Sequence, residues 1–205
     1  MKKKLIFIVC SVILLAAAFA IRFGRYYPAA CDEFAENGLK GSLSNAVNEN
    51  LLKKTAEEPN GGNGIAKVIF KGDGTAAAIE IDAAKLNESA YGIAKTVFDS
   101  VAEAENEYGI PLGNALGSRI FSGRGPEIPV KIIPLNSVSY DIESKLISGG
   151  INQTLHRISV RYTLTVKCLA PFEERFFTVD GEAVITETLI IGEVPEILFP
   201  GSSGR

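Results

Sequence analysis

Leu5 to Ile21 is an unbroken run of 17 apolar or small residues, preceded by Lys2-Lys3-Lys4. At about 1.5 Å of rise per residue it spans roughly 26 Å as a helix, enough for a thin or locally adjusted hydrocarbon core. Phe23, Tyr26 and Tyr27 follow, at the level where aromatic rings favour the membrane interface. Pro28 is expected to stop the helix or redirect the chain. Beyond it, Leu39, Leu43, Val47 and Leu51 recur every fourth residue with Ala46 beside them, which predicts an amphipathic helix over 32–54, with Asp32 as N-cap. Gly38 and Gly41 weaken that helix, and Pro59 to Gly64 is a clear break. Residues 65–70 and 75–81 flank Lys71-Gly72-Asp73-Gly74 and read as a hairpin. Residues 83–107 form a second helix, with Leu86, Ala90, Ile93, Ala94, Val97 and Val101 on one face, ending near Tyr108-Gly109.

The period then changes. Residues 109–126 are glycine-rich, and after them apolar residues alternate with polar ones. Strands are expected at 128–134 and 137–147, the second with Val138, Tyr140, Ile142 and Leu146 on one face. After a turn at Ser148-Gly149-Gly150 comes the clearest strand, with Ile158, Val160, Tyr162, Leu164, Val166 and Cys168 sharing a face. Residues 172–179 and 183–191 continue a meander around a turn at Asp180-Gly181. Pro200 to Arg205 is expected to fray. The order predicts an α+β fold: an N-terminal transmembrane helix, helix–hairpin–helix, then an antiparallel β meander. The expected organisation is a cytoplasmic stub at 1–4, an anchor at 5–21, a juxtamembrane helix and linker at 22–64, an extracytoplasmic α+β domain at 65–198 and a flexible tail at 199–205.

Charge sharpens this. The net charge is −3, but residues 2–25 hold five of the 21 basic residues and no acid, which leaves 16 basic against 24 acidic residues on the body, about −8. An acidic body without a basic stripe argues against nucleic acid as a partner. The N-terminal lysines orient the N-terminus to the cytoplasm and the body to the far side. A cleaved signal peptide is the rival reading. Its small residues are present (Ala16, Ala17, Ala18, Ala20), but the run is long for one, and Arg22 and Arg25 crowd any cleavage site.

Candidate chemistry is sparse. Cys10 lies in the apolar run; Cys31 and Cys168 have no metal spacing and read as unpaired thiols, with a disulfide as the alternative. His156, the only histidine, reads as a surface or turn residue at a strand start; Ser137, Ser148 and Ser159 lie near it without nucleophile-elbow spacing. Asp141, Glu143 and Glu187 fit a solvated sheet face. No metal, cofactor or catalytic set is predicted. The one candidate interaction site is the loop with Gly113, Gly117, Arg119, Gly123, Arg124 and Gly125, where exposed backbone N–H groups and two guanidinium groups could hold an anion. The simpler reading is a loop that needs glycine for close approach.

Four segments in this order carry a resemblance: Ile110-Pro111-Leu112-Gly113-Asn114-Ala115-Leu116-Gly117-Ser118, Gly123-Arg124-Gly125-Pro126-Glu127-Ile128-Pro129-Val130, Gly150-Ile151-Asn152-Gln153-Thr154-Leu155-His156-Arg157, and Glu187-Thr188-Leu189-Ile190-Ile191-Gly192-Glu193-Val194-Pro195. The chain resembles the sporulation protein YunB family of endospore-forming Firmicutes, from the anchor to about residue 198 and most densely over 110–195. The resemblance implies a membrane-bound protein made in the mother cell and needed for efficient spore formation, with no enzymatic activity and hence no catalytic residues to carry over. Combined with the lysines, it places the body between mother cell and forespore, where envelope proteins or further copies of the chain are the expected partners. An envelope hydrolase or an anion-binding module at the loop are the alternatives. Gly61-Gly62-Asn63, a loose insertion, and Leu155, where a more polar residue is expected, depart from the pattern.

Overall fold

The computed structural model describes residues 2–57, 64–72, 74–104, 108–150 and 153–191. Asp73, most of the break at 59–64 and the tail beyond 191 therefore lie outside the described residues. One helix is long and apolar enough to cross a membrane: α1 (Lys2–Glu33) runs on through a π-helical turn (Phe34–Leu39) into α2 (Lys40–Glu57). From Leu5 to Ile21 its large apolar side chains are exposed, as a lipid-facing helix requires.

Pro28 does not stop this helix. It sits inside α1, and Asp32, expected as an N-cap, is an interior residue of the same helix. An interior proline loses one hydrogen bond and costs about 3 kcal/mol. Burial compensates, since Tyr27, Ala30 and Cys31 beside it are all in the core. The glycines the sequence marks as weak points fall in and just after the π-helical turn. A Cβ at Gly38 would touch the Phe34 ring at 3.3 Å, while Gly41 has open space. Of the predicted stripe, Leu39, Leu43 and Val47 are fully inaccessible, while Leu51 and the neighbouring Ala46 are partly exposed.

The described residues divide into two compact units. One comprises Met1–Lys54, Ala94–Ser139 and Tyr162–Gly181; the other comprises Thr55–Ile93, Tyr140–Arg161 and Glu182–Arg205. In the second unit, β1 (Ala66–Phe70) and β2 (Ala76–Ile81) pair antiparallel as the predicted hairpin. The Asp82 carboxylate accepts hydrogen bonds from the N–H groups of Ala84 and Lys85 at the start of α3 (Ala83–Glu103). Helix α3 gives way to a turn at Ala104, and the last three residues of its predicted span, 105–107, lie outside the described residues. Ala90, Ala94, Val97 and Val101 are buried on its predicted face.

The second sheet has the order β3-β4-β5-β6. Strand β3 (Tyr108–Pro111) and the short helix α4 (Leu112–Ala115) occupy a stretch that reads as loop from sequence. The meander is built from fewer and longer strands than alternation predicts. Strand β4 (Glu127–Gly150) runs without a break through Pro134-Leu135-Asn136, β5 spans Gln153–Ala170, and β6 (Glu173–Ile191) runs straight through Asp180-Gly181. Gly181 is not a turn residue. A Cβ there would lie 2.3 Å from the Tyr162 hydroxyl oxygen, so the glycine makes room for a tyrosine on β5. The actual reversal is at Pro171-Phe172. The predicted face of β5 is buried throughout, from Ile158 to Cys168. That of β4 is buried at Val138 and open beyond it, at Tyr140, Ile142 and Leu146.

Candidate functional site

The glycine-rich loop follows α4 and packs against α1 one turn beyond the apolar run. Arg22 donates from Nε to the Leu116 carbonyl at 3.1 Å and from Nη2 to the Gly117 carbonyl at 3.4 Å. Its guanidinium also lies 5.2 Å from the centroid of the Tyr26 ring. That ring supports Gly117, whose φ of +61° and whose absent Cβ, which would sit 2.5 Å from the ring, both demand glycine. Arg22, which in the sequence only crowds a cleavage site, thus has a role that its distant partners reveal.

The other glycines are explained in the same steric terms. A Cβ on Gly113 would lie 1.8 Å from the Phe121 carbonyl oxygen. Gly123 and Gly125 have φ of +71° and +100°. Three of the four glycine N–H groups of the candidate site are engaged within the loop. Gly113 N–H donates to the Arg124 carbonyl, Gly117 N–H to the Asn114 carbonyl, and Gly123 N–H to Asn114 Oδ1 at 2.8 Å. Ser118 N–H donates to Gly113, and Ser122 Oγ bonds Asn114 Oδ1. The Gly113, Gly117 and Gly123 amides that a phosphate cradle would use therefore hold the loop to itself. The loop also presents side chains to an outside ligand: Arg119 and Arg124, both exposed, with Ile120 and Phe121 exposed between them.

His156 is not a surface residue. It is 3% exposed within β5, and its Nε2 shares a 2.9 Å hydrogen bond with Ser144 Oγ. Ser144, twelve residues away on β4, is a partner that proximity in sequence does not suggest. The pair does not make a catalytic relay: Nδ1 is buried with no partner, so no acid orients the ring as a general base. Ser159 is buried as well, and donates to Glu182 at 2.6 Å. Glu143 and Glu187 pair with Arg161 and Arg157. Among the described residues no group of three or more His, Cys, Asp or Glu side chains is placed to hold a metal.

Cys31 and Cys168 are both buried free thiols. Burial, with the neighbouring Cys31 adding to it, pushes the Cys168 thiol up to about 11; burial also raises Cys31. Arg175 forms an ion pair with Asp32 on α1 and a 2.7 Å bond with Glu173. Farther along, Lys40 pairs with Asp180 at 3.1 Å. The first half of β6, residues 173–181, therefore runs alongside the α1–α2 helix, with its start nearest the anchor.

A family model described as Sporulation protein YunB matches residues 107–197. Among curated proteins the chain is similar to "Sporulation protein YunB" of Bacillus subtilis (strain 168), 32% identical over 95 residues, which is 46% of this chain and 37% of that protein. No solved structure matches. The anchor and the first two helices lie outside the family match, which begins just before β3. Over the segment that holds the glycine-rich loop and strands β3 to β6, then, this sequence matches the YunB sporulation protein family.

Proposed function

We propose that this chain is a membrane-anchored sporulation protein with a non-enzymatic, structural or interaction role in spore envelope development, at the boundary between mother cell and forespore. The observation that carries this reading is the family match over residues 107–197, joined in one chain to a helix able to span a bilayer. In this reading residues 1–4 are a cytoplasmic stub and residues 5–21 the anchor. Residues 22–64 leave the membrane, and residues 65–198 form the extracytoplasmic domain in the intermembrane space, where envelope proteins or further copies are its partners. Lys2, Lys3 and Lys4 support this orientation by the positive-inside rule.

Cysteine accessibility tests it. Ser139, exposed on β4, is replaced by cysteine in sporulating cells of an endospore-forming host and probed with a membrane-impermeant thiol reagent. The native background is quiet by design of the fold: Cys31 and Cys168 are buried, and Cys10 lies in the anchor. Ser139→Cys is expected to label before engulfment closes and to be shielded afterwards. Labelling only after lysis at every stage would place the body in the mother-cell cytoplasm and refute the reading.

A further inference from the structure

Beyond the apolar run, the first unit exposes Tyr26, Leu52, Ile120, Phe121, Phe172 and Phe176, and three of these sit at turn tips. Ile120 is 80% exposed and Phe121 58% exposed, and they sit at the tip of the glycine-rich loop between Arg119 and Arg124. Phe172, 95% exposed with φ +66°, is the tip of the β5–β6 turn. A bulky aromatic residue held in the left-handed region with almost no protein contact has no packing reason to be there.

The root of the loop and the β5–β6 turn can be placed along α1. Leu116 and Gly117, where the loop begins, are pinned at Arg22 and Tyr26, about 1.5 and 7.5 Å of helical rise beyond Ile21. The polar interface of a bilayer is about 5–8 Å thick on each side. The apolar run is also about 4 Å short of a 30 Å core, which draws this flanking turn down onto the bilayer. The second tip is placed by two ion pairs. Asp32 with Arg175 and Lys40 with Asp180 align β6 with the helix, eight helical residues against five strand residues. Three further strand residues back towards the anchor bring Phe172 to about the level of Tyr27. The aromatic ladder Phe19–Phe23–Tyr27 lies along the same turns of α1, its stacked ring centroids 6.0 and 4.5 Å apart. Arg22, Arg25, Arg119 and Arg124 give this end of an otherwise acidic body a local positive charge.

We infer that the 117–125 loop and the Pro171-Phe172 turn form a two-point foot seated in the membrane interface beside the anchor. Ile120, Phe121 and Phe172 enter the headgroup–acyl boundary, and Arg119 and Arg124 meet anionic lipid phosphates. The foot rests on the reading of α1 as a membrane span. It gives the loop's arginines a ligand, and it adds two further points of support to the single spanning helix.

The chain contains no tryptophan, so single-tryptophan variants report without background. The full chain in nanodiscs containing phosphatidylglycerol is prepared as Phe121→Trp, Phe172→Trp, Leu14→Trp in the span, and Leu52→Trp. Leu52 is an exposed residue on α2 about 45 Å of helical rise beyond Ile21. Phe121→Trp and Phe172→Trp are expected to emit to the blue of Leu52→Trp, to resist aqueous iodide and to be quenched by lipids brominated near the headgroup. If both are quenched by iodide as fully as Leu52→Trp while Leu14→Trp stays shielded, the foot is refuted and the anchor stands. If only one is shielded, the other contact is struck out. If Leu14→Trp is itself open to iodide, the anchor reading fails and the foot with it.

Discussion

A methyl group on Gly113 would have to pass through the Phe121 carbonyl, 1.8 Å away. Backbone cannot rotate aside as a side chain can, so Gly113→Ala is expected to cost about 2–3 kcal/mol. Thermal unfolding of the full chain in detergent should show the loss. Gly41 faces open space in a helix, and Gly41→Ala is expected to gain about 0.5–1 kcal/mol by the same measurement. A second prediction at this scale concerns Cys168. Its thiol is raised from 9.0 to about 11 in the folded state, because burial disfavours the thiolate. The neutral form is therefore favoured by folding. The associated stability is fully present below pH 9 and is lost as pH rises towards 11, by up to about 3 kcal/mol. Cys168→Ser should flatten that limb of a stability–pH curve; an unchanged slope above pH 9 would show that other groups produce it.

Among the elements, β6 separates two explanations of one sequence signal. Asp180-Gly181 reads as turn chemistry, but the strand continues because Gly181 makes room for the Tyr162 ring. Gly181→Ala is expected to destabilise by about 1–3 kcal/mol. Tyr162→Leu, which removes the obstructing ring, should recover much of that loss, giving a coupling a turn glycine would not show. The same lesson holds at Pro28 and at Pro134. Each is a local breaker signal overridden by its neighbours, Tyr27, Ala30 and Cys31 in the first case and a continuous strand in the second. Local rules price a residue against water. Inside a core, a helix can absorb the loss of one hydrogen bond when several buried side chains depend on its continuing.

For the whole molecule, the segment after the anchor is part of a core. Leu39, Leu43 and Val47 are fully buried, in a unit that also takes in Ala94–Ser139 and Tyr162–Gly181. Losing three such side chains removes roughly 5–9 kcal/mol of burial, against a total domain stability of about 5–15 kcal/mol. A fragment beginning at residue 22 is therefore expected to unfold cooperatively, and one beginning at residue 65 to lose that cooperativity, as followed by circular dichroism. Equal cooperativity in both would mean that the helix is a spacer.

The periodic features were legible from the sequence alone: the 17-residue apolar span, the stripe Leu39-Leu43-Val47, the hairpin of β1 and β2, the buried face of α3 and the alternation along β5. They are legible because burial repeats at the geometric period of a helix or strand, whatever the partner. The α+β order and the candidate loop came from the same reading. What surrounds each residue was decided by tertiary structure. Arg22 holds a loop 94 residues away, His156 is buried against Ser144, and Gly181 yields to Tyr162. The physical reason is that these contacts join positions far apart in the chain. Their energies depend on distance in space, and composition, spacing and local propensity carry no measure of that distance until the chain has folded.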